Sequence, residues 1–306
     1  RRASGVLPAL VVLAAALCFS TTGTAQELAA VDASPLAVGA ARIVVGGGIL
    51  GLLALAQRSP GRARSGSRAS TAALIAVGAL GVLAYQPLFF LGTRENGVAI
   101  GTVVALGSAP IATGIVDAVR LRRAPTPRWM LATAVALIGV VLVSGVTGGA
   151  TALAPGGLLA SAGAGMSYAL YTVCGKALIE RGWNSTRVMG AVFGIAAVAS
   201  LPVLVLAGTS WLLTPNGLAL ALWLGVVTTA IAYLLFGWGL ARLSAVTVST
   251  LTLAEPLAAT LLGLFVLREH LTLVSGIGLA LIAVGLAVVS APSRRREEVP
   301  DATARA

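Results

Sequence analysis

Ten apolar runs dominate the 306-residue sequence, and each is long enough to cross a lipid bilayer. Charged residues form only 10% of the chain and are crowded between these runs. Hydrocarbon offers backbone polar groups no partner outside their own segment, and strand-like alternation is absent, so we expect each run to be helical. The predicted spans are 5–25, 36–56, 71–92, 97–119, 129–147, 155–177, 187–208, 216–241, 244–266 and 271–290. The sequence therefore predicts an all-α membrane protein with ten transmembrane helices.

The first run has a second interpretation. Arg1 and Arg2 precede it and small residues follow near 22–25, which is also the pattern of a secretory signal peptide. The run is longer than a typical signal core, and its loss would break a five-plus-five pattern of spans. We therefore interpret it as the first transmembrane helix.

The second half of the chain resembles a diverged copy of the first. A shift of 146 places (256 − 110) sets Pro110 on Pro256, and it also sets Gly139 on Gly285. Five spans in each copy is an odd number, so the second copy must enter the membrane upside down. Internal duplication of this kind is typical of membrane transporters, whose site lies between the copies. The predicted units are a first repeat at 1–147, a second repeat at 148–290 and a cytoplasmic tail at 291–306.

The basic excess of the chain indicates its orientation. The sequence has 21 Lys and Arg against 10 Asp and Glu. With a cytoplasmic N-terminus, every basic residue except Arg42, Arg94 and Arg268 falls on the cytoplasmic side, which predicts that both termini are cytoplasmic. The loop around Arg122 is strongly basic and its counterpart around Arg268 is mixed, as an inverted repeat requires. We predict a multi-pass protein of the cell (inner or plasma) membrane, and no nucleic-acid partner.

The sequence lacks the motifs of several function classes. There is no Walker-type Gly-Lys-Ser/Thr loop and no metal-ligand cluster, and the glycines at 46–48 lie inside a span rather than after a strand. No nucleophile–base pair is evident either, which argues against an enzyme. We therefore predict no cofactor and no metal. Without an ATP site, active transport would have to be coupled to an ion or substrate gradient.

Several short stretches carry a family resemblance. LAEPL at 253–257 and LREHL at 267–271 resemble the ninth and tenth helices of the EamA family, within the drug/metabolite transporter superfamily. SPL at 34–36, leading to Arg42, is similar to the start of its second helix, and LCFS at 17–20 to the end of its first. The resemblance covers about 5–290. It implies two inverted five-helix repeats and transport of a small metabolite through a central cavity.

Glu255 is the main candidate for coupling. It lies near the middle of a span, where an ionised carboxylate costs about 2.5–3.5 kcal/mol on insertion scales. Pro256 cannot donate a backbone hydrogen bond, so we expect a helix kink there and at Pro110. A carboxylate at a helix break suits a carrier coupled to protons or cations. Its alternative is a structural role in which Glu255 bonds a neighbouring helix and never titrates. The first copy departs from the pattern, because Ala109 stands where the second has Glu255.

Arg42 is a second charge inside a span, about six residues from its outer end. Its guanidinium could bind a substrate carboxylate, or it could lock helices together. The sequence leaves both roles open.

Aromatic and hydroxyl side chains are the candidates for solute contact. Tyr168 and Tyr171 are three residues apart, and Tyr85 and Phe89 are four apart, so each pair shares a helix face. Their alternative role is ordinary helix packing or interfacial placement. The full set, in segments that line a cavity according to the resemblance, is Phe19, Ser20, Tyr85, Gln86, Phe89, Tyr168, Tyr171, Tyr233, Trp238 and Thr252.

Taken together, these features predict a secondary transporter that works by alternating access. We expect it to export a small polar or amphipathic metabolite, such as an amino acid or a derivative, with protons as a candidate coupling ion. The expected partners are the small-molecule substrate and the lipid bilayer, and a monomer and a homodimer are both compatible with the sequence. The alternative is a membrane channel or scaffold protein that does not alternate.

Overall fold

The structure, a computed structural model, describes residues 6–57, 67–144, 153–266 and 272–291, and no β-strand occurs among them. The prediction of an all-α protein is confirmed. The first half contains α1 (Val6–Ala29), α2 (Pro35–Ala56), α3 (Arg68–Leu121) and α4 (Pro127–Val143). The second half contains α5 (Pro155–Glu180), α6 (Ser185–Ala207), a 3-10 turn (Ser210–Leu213), α7 (Pro215–Leu222), a π-helix (Trp223–Ile231), α8 (Ala232–Leu240), α9 (Ala245–Leu251), α10 (Ala254–Phe265) and α11 (Leu273–Ser290).

Some sequence predictions fall outside the described residues. They concern Arg1, Arg2, Arg268, the repeat boundary at 147 and 148, and the tail beyond residue 291.

Hydroxyl side chains fix where several helices begin. Ser34, Thr126, Ser244 and Thr272 each precede a helix, and each side-chain oxygen accepts a hydrogen bond from a backbone N–H three residues later. This arrangement satisfies donors that the first helical turn leaves without partners. A proline follows Ser34 and Thr126, where its missing N–H costs nothing.

Among the described residues, eight helical segments are long and apolar enough to cross a membrane. These are α1, α2, Arg68–Val98 and Ile100–Leu121 of α3, α6, Pro215–Leu240, Ala245–Phe265 and α11. Helix α4 is apolar but has 17 residues, and α5 has 26 residues and carries Lys176 and Glu180. The prediction of a multi-pass membrane protein is confirmed, and the number ten stays a prediction.

The two spans of α3 follow one another without a loop. Gly97 lies at the junction between them, and its φ of 82° and ψ of 157° are non-helical. A positive φ strains residues with a Cβ, so glycine suits this break.

The burial pattern is that of a protein surrounded by lipid. Small residues such as Ala15 and Ala136 are fully buried, whereas Leu55 and Leu206 are 82% and 87% exposed. Close helix packing through small residues, with large apolar side chains turned outward, is typical of membrane helices.

Helices α2 and α6 pack through two glycines in reciprocal positions. A Cβ added to Gly47 would overlap the carbonyl oxygen of Phe193, and a Cβ added to Gly190 would overlap the carbonyl oxygen of Leu50. Residue numbers rise along one helix as they fall along the other, so the two helices are antiparallel.

Helices α4 and α11 repeat this arrangement. A Cβ on Gly139 would lie 2.5 Å from the carbonyl oxygen of Gly278, and a Cβ on Gly285 would lie 2.7 Å from that of Ala132. These helices are also antiparallel, and only residues without a side chain allow so close an approach at these points.

Polar contacts define the two ends of the bundle. At one end, basic side chains tie helix termini together, and at the other end the Asn96 side chain bonds the backbone of Ala154. Arg94 precedes Asn96 by two residues in the sequence and so belongs to that second end. The ties at the first end are Arg120 to Glu180 at 2.7 Å, Arg181 to Ser70 at 2.9 Å, Lys176 to the carbonyl of Leu240 at 3.0 Å and Arg128 to the carbonyl of Val288 at 3.1 Å.

Candidate functional site

An interior cavity of about 60 Å³ lies between the two halves of the chain. A volume of this size accommodates a few water molecules. A smaller cavity of about 30 Å³ shares several of its residues and adds Gln86. The larger cavity is lined by Phe19, Arg42, Tyr85, Leu106, Ala109, Tyr168, Tyr171, Tyr233, Thr252, Leu253 and Glu255.

A helix break positions Glu255. Helix α9 ends at Leu251 and α10 begins at Ala254. Pro256 lacks the N–H that would bond the carbonyl of Thr252, and this carbonyl accepts instead from the N–H of Glu255 at 2.9 Å. The carboxylate therefore lies in the first turn of α10, at the point where the backbone leaves regular helical bonding.

The equivalent proline of the first half does not interrupt its helix. Pro110 lies within Ile100–Leu121, and the non-helical residue of α3 is Gly97. Nearby hydroxyls do not explain the difference, because they bond to carbonyls three or four residues earlier beside both prolines. These hydroxyls belong to Ser249, Thr250 and Thr252 before Pro256, and to Ser108 and Thr113 around Pro110.

Arg42 is held by the π-helix. Its Nε donates to the hydroxyl of Thr229 at 3.0 Å, and its Nη2 donates to the carbonyl of Thr228 at 3.3 Å. The Thr229 hydroxyl donates in turn to the carbonyl of Leu224, five residues earlier, as the wider π-helical turn allows. The sequence analysis missed this π-helix, and its one signal is a pair of threonines in an apolar run.

Arg42 and Glu255 line the same cavity without pairing. Both ion pairs found among the described residues belong to Arg120. Among those residues the Glu255 carboxylate also has no hydrogen-bond partner. The Nη1 of Arg42 likewise has no hydrogen-bond partner among the described residues. The cavity wall therefore presents a guanidinium and a carboxyl group that are not paired with each other.

Tyrosine hydroxyls supply the remaining polar surface. The hydroxyl oxygens of Tyr171 and Tyr233 are 3.1 Å apart, and those of Tyr168 and Thr252 are 3.0 Å apart. The ring of Phe19 packs on Tyr233 with centroids 5.1 Å apart. The result is an aromatic enclosure whose polar atoms pair with one another.

Three predicted residues line neither of the two cavities, and Gln86 lines only the smaller one. The Ser20 hydroxyl donates to a carbonyl one turn earlier at 2.8 Å, and Phe89 stacks on Tyr85 with ring centroids 5.9 Å apart. The guanidinium of Arg242 lies 3.5 Å from the ring centroid of Trp238. The structure thus brings most of the predicted residues together, but not these three.

The sequence analysis also missed three cavity residues. Leu106, Ala109 and Leu253 line the cavity, and an alanine or a leucine in an apolar helix carries no signal of such a role. Among the described residues, no group of three His, Cys, Asp or Glu could hold a metal ion.

Apolar membrane helices around a polar and aromatic cavity are typical of multi-pass membrane transporters. The chain belongs to the EamA-like transporter family, whose sequence model matches residues 6–145 and again 155–291. Membership makes it a transporter and not an enzyme, in agreement with the sequence prediction.

Relatives agree with this assignment. The chain is 39% identical over 294 residues to the uncharacterized transporter YwfM of Bacillus subtilis, with 96% of this chain and 97% of the relative covered. It is 27% identical over 235 residues to the uncharacterized inner membrane transporter YicL of Salmonella typhimurium, with 75% and 76% covered. A protein crystal structure matches with a TM-score of 0.74 and 23% identity, covering 94% of this chain and 96% of that chain. At that identity the likeness concerns the fold alone.

Proposed function

We propose that this transporter is a secondary carrier that exports a small zwitterionic metabolite, such as an amino acid or a derivative, by alternating access. One observation carries the proposal, namely that Arg42 and Glu255 share one cavity without pairing. An amino acid presents a carboxylate suited to the guanidinium and an ammonium suited to the carboxylate. The surrounding tyrosines supply contact area for an apolar side chain.

Coupling follows from competition at Glu255. An ammonium and a proton neutralise the same carboxylate, so each disfavours the other. Protonation of Glu255 would release the substrate, and its deprotonation would admit the next one. This is the exchange logic of a proton-coupled exporter, with Glu255 as the coupling group.

The cavity volume supports alternating access over a fixed pore. Small-molecule sites usually measure about 300–1,000 Å³, so a cavity of about 60 Å³ must expand to admit a metabolite. Opening it requires helices to separate, and in alternating access they separate on one side at a time. A permanently open channel would instead have a cavity already wide enough for its solute.

For the scaffold, we propose ten transmembrane helices in two inverted five-helix repeats, 1–147 and 148–290, followed by the tail 291–306. The double match of the family model supports this division. The contact between α2 and α6 supports the inversion, because the same residue offset relates its two sides. Adding 143 to the residue number turns Gly47 into Gly190 (190 − 47) and Leu50 into Phe193 (193 − 50), so the contact of Gly47 with Phe193 becomes that of Gly190 with Leu50. A two-fold axis in the membrane plane produces this kind of exchange.

The contact between α4 and α11 behaves in the same way with an offset of 146. It carries Gly139 to Gly285 (285 − 139) and Ala132 to Gly278 (278 − 132). This is the offset that aligns Pro110 with Pro256 in the sequence. Two separate helix contacts thus support one symmetry.

We also propose that both termini are cytoplasmic and that the protein lies in the inner or plasma membrane. The basic side chains that tie helix termini mark one end of the bundle, and cytoplasmic ends carry such residues. The similarity to YicL, an uncharacterized inner membrane transporter, is consistent with this location.

The test begins with identification of a ligand. Purified protein is screened by thermal shift against amino acids, sugars, nucleosides and cationic drugs, since a ligand of the folded state raises its stability. Amino acids are expected to stabilise it most. The best ligand is then followed in proteoliposomes, where saturable flux with counterflow supports a carrier and non-saturating flux supports a channel.

Glu255→Gln then tests coupling, with Glu95→Gln as the control because Glu95 is an exposed carboxylate outside the cavity. We expect Glu255→Gln to abolish both proton-driven export and pH dependence, while the control retains both. An unchanged rate and pH profile in Glu255→Gln would end the coupling proposal.

A further inference from the structure

A second concave region lies between Ile100–Leu121 of α3 and α4, away from the central cavity, and its polar part also contacts the start of α9 and the end of α11. It consists of a polar cavity of about 470 Å³ and an apolar groove of about 510 Å³. The two share Gly114, Ala118, Pro125 and Trp129, so they adjoin each other. We call the two together the α3–α4 groove.

The polar part of the α3–α4 groove is positively charged. Exposed Arg123 and partly buried Arg128 line it, together with Asp117. Arg120 pairs with Asp117 at 2.9 Å and thereby neutralises its charge. The guanidinium of Arg128 is fixed by the carbonyl of Val288, which positions its charge. The N-terminus of α4, capped by Thr126, also opens here, and its dipole favours anions.

The apolar part faces the outside of the bundle. Ile115 and Val119 line it and are 57% and 74% exposed, and Met130 lines its opposite side. In a membrane, side chains exposed in this way contact acyl chains.

Trp129 forms the boundary between the two parts and is held rigidly. Its Nε1 donates to the carbonyl of Val246 and to the hydroxyl of Thr250, both at 2.9 Å. Its ring lies against Gly114, where an added Cβ would be only 2.6 Å from the indole. The shape of the groove is therefore built in advance, which reduces the ordering cost of binding.

We propose that the α3–α4 groove binds one anionic phospholipid. The phosphate contacts Arg123 and Arg128, and an acyl chain follows the apolar groove past Ile115 and Met130. Charge complementarity selects an anionic headgroup, and the adjoining apolar groove selects a lipid over a free anion. With the proposed orientation, the site opens to the cytoplasmic leaflet, where basic pockets between helices recognise anionic headgroups.

The experiment uses the full-length protein in detergent and counts bound lipids by native mass spectrometry. The probes are phosphatidylglycerol, phosphatidylcholine with the same acyl chains, and glycerol phosphate. Wild-type protein is expected to retain one phosphatidylglycerol in preference to phosphatidylcholine. Loss of one arginine contact should weaken phosphatidylglycerol binding about fivefold in Arg123→Gln.

Two further variants separate the parts of the proposal. Ala134→Phe fills the apolar groove from an exposed position and should weaken phosphatidylglycerol binding with Arg123 intact. Arg122→Gln removes the same charge from the neighbouring residue, which does not line the groove, and should leave binding near that of the wild type. Equal retention of both lipids, equal retention of glycerol phosphate, or binding that survives both Arg123→Gln and Ala134→Phe would overturn the proposal.

Discussion

Arg42 of α2 donates a hydrogen bond to the hydroxyl of Thr229, which lies 3.0 Å away and 187 residues later in the chain. The bond joins the first half of the protein to the π-helix of the second half. Because both residues lie within apolar segments, the guanidinium depends on these polar partners. The two roles considered for Arg42 are therefore compatible, since one face anchors helices and another lines the cavity.

Thr229→Val tests the anchor. The substitution keeps the shape of the side chain but removes the acceptor for Arg42 Nε. A buried donor left without a partner costs about 1–3 kcal/mol, so we expect a lower thermal unfolding midpoint. The measurement is thermal unfolding of the purified protein in detergent.

Thr228→Val is the matched control. Thr228 is equally buried, its hydroxyl donates to the carbonyl of Leu224, and its own carbonyl, which serves Arg42, survives the change. It should destabilise the protein less than Thr229→Val. Equal effects of the two substitutions would show that the Arg42 bond is not the source of the stability.

Gly47→Ala and Gly190→Ala test the reciprocal packing of α2 and α6. In both variants the new Cβ overlaps a backbone carbonyl of the partner helix, which cannot rotate away. Overpacking of this kind costs about 1–3 kcal/mol, and the two losses should be similar. Thermal unfolding reports them.

Gly48→Ala is the control for helix propensity, because a Cβ there has no neighbour within 4 Å. Alanine favours the helix over glycine, so stability should be unchanged or slightly higher. A large loss for Gly47→Ala beside none for Gly190→Ala would contradict the two-fold relation.

A double-mutant cycle measures the contact between Tyr168 and Thr252. The two hydroxyls are 3.0 Å apart and tie α5 to the interruption before Glu255. We expect Tyr168→Phe and Thr252→Val to be non-additive in unfolding free energy by about 0.5–1.5 kcal/mol. The Thr252 hydroxyl also bonds the carbonyl of Ser249, and the cycle cancels that loss because it occurs with and without Tyr168. Strict additivity would mean that the hydroxyls do not interact.

Local chemistry explains which parts of the fold the sequence predicts. Apolar length locates most membrane spans, and Ser34 followed by proline marks the start of α2, because capping depends on neighbours in the chain. Pro256 marks the interruption before Glu255, because proline removes a backbone donor, but the kink expected at Pro110 for the same reason does not interrupt its helix.

Tertiary contacts explain what the sequence does not predict. In the π-helix, the carbonyl of Thr228 accepts a hydrogen bond from Arg42 of a distant helix, and no local sequence pattern predicts that partner. Trp238 is an aromatic residue of the type that lines binding cavities, yet the guanidinium of Arg242, one turn away, lies over its ring. Pro110 and Pro256 look equivalent in the sequence, but only Pro256 lies at an interruption, and hydroxyls that bond back to carbonyls occur beside both.

Ala109→Glu in a Glu255→Gln background tests whether the coupling carboxylate can be moved between the repeats. Ala109 is the counterpart of Glu255 and lines the same cavity. If coupling requires one titrating carboxylate in this enclosure, the double variant should regain part of the pH dependence that Glu255→Gln loses. Ala109→Gln in the same background adds equal bulk without a titrating group and should regain none. Proteoliposome transport across a pH series makes the comparison. Equal profiles for the two double variants, with thermal unfolding showing both folded, would mean that coupling requires the broken helix at Glu255 as well as a carboxylate in the cavity.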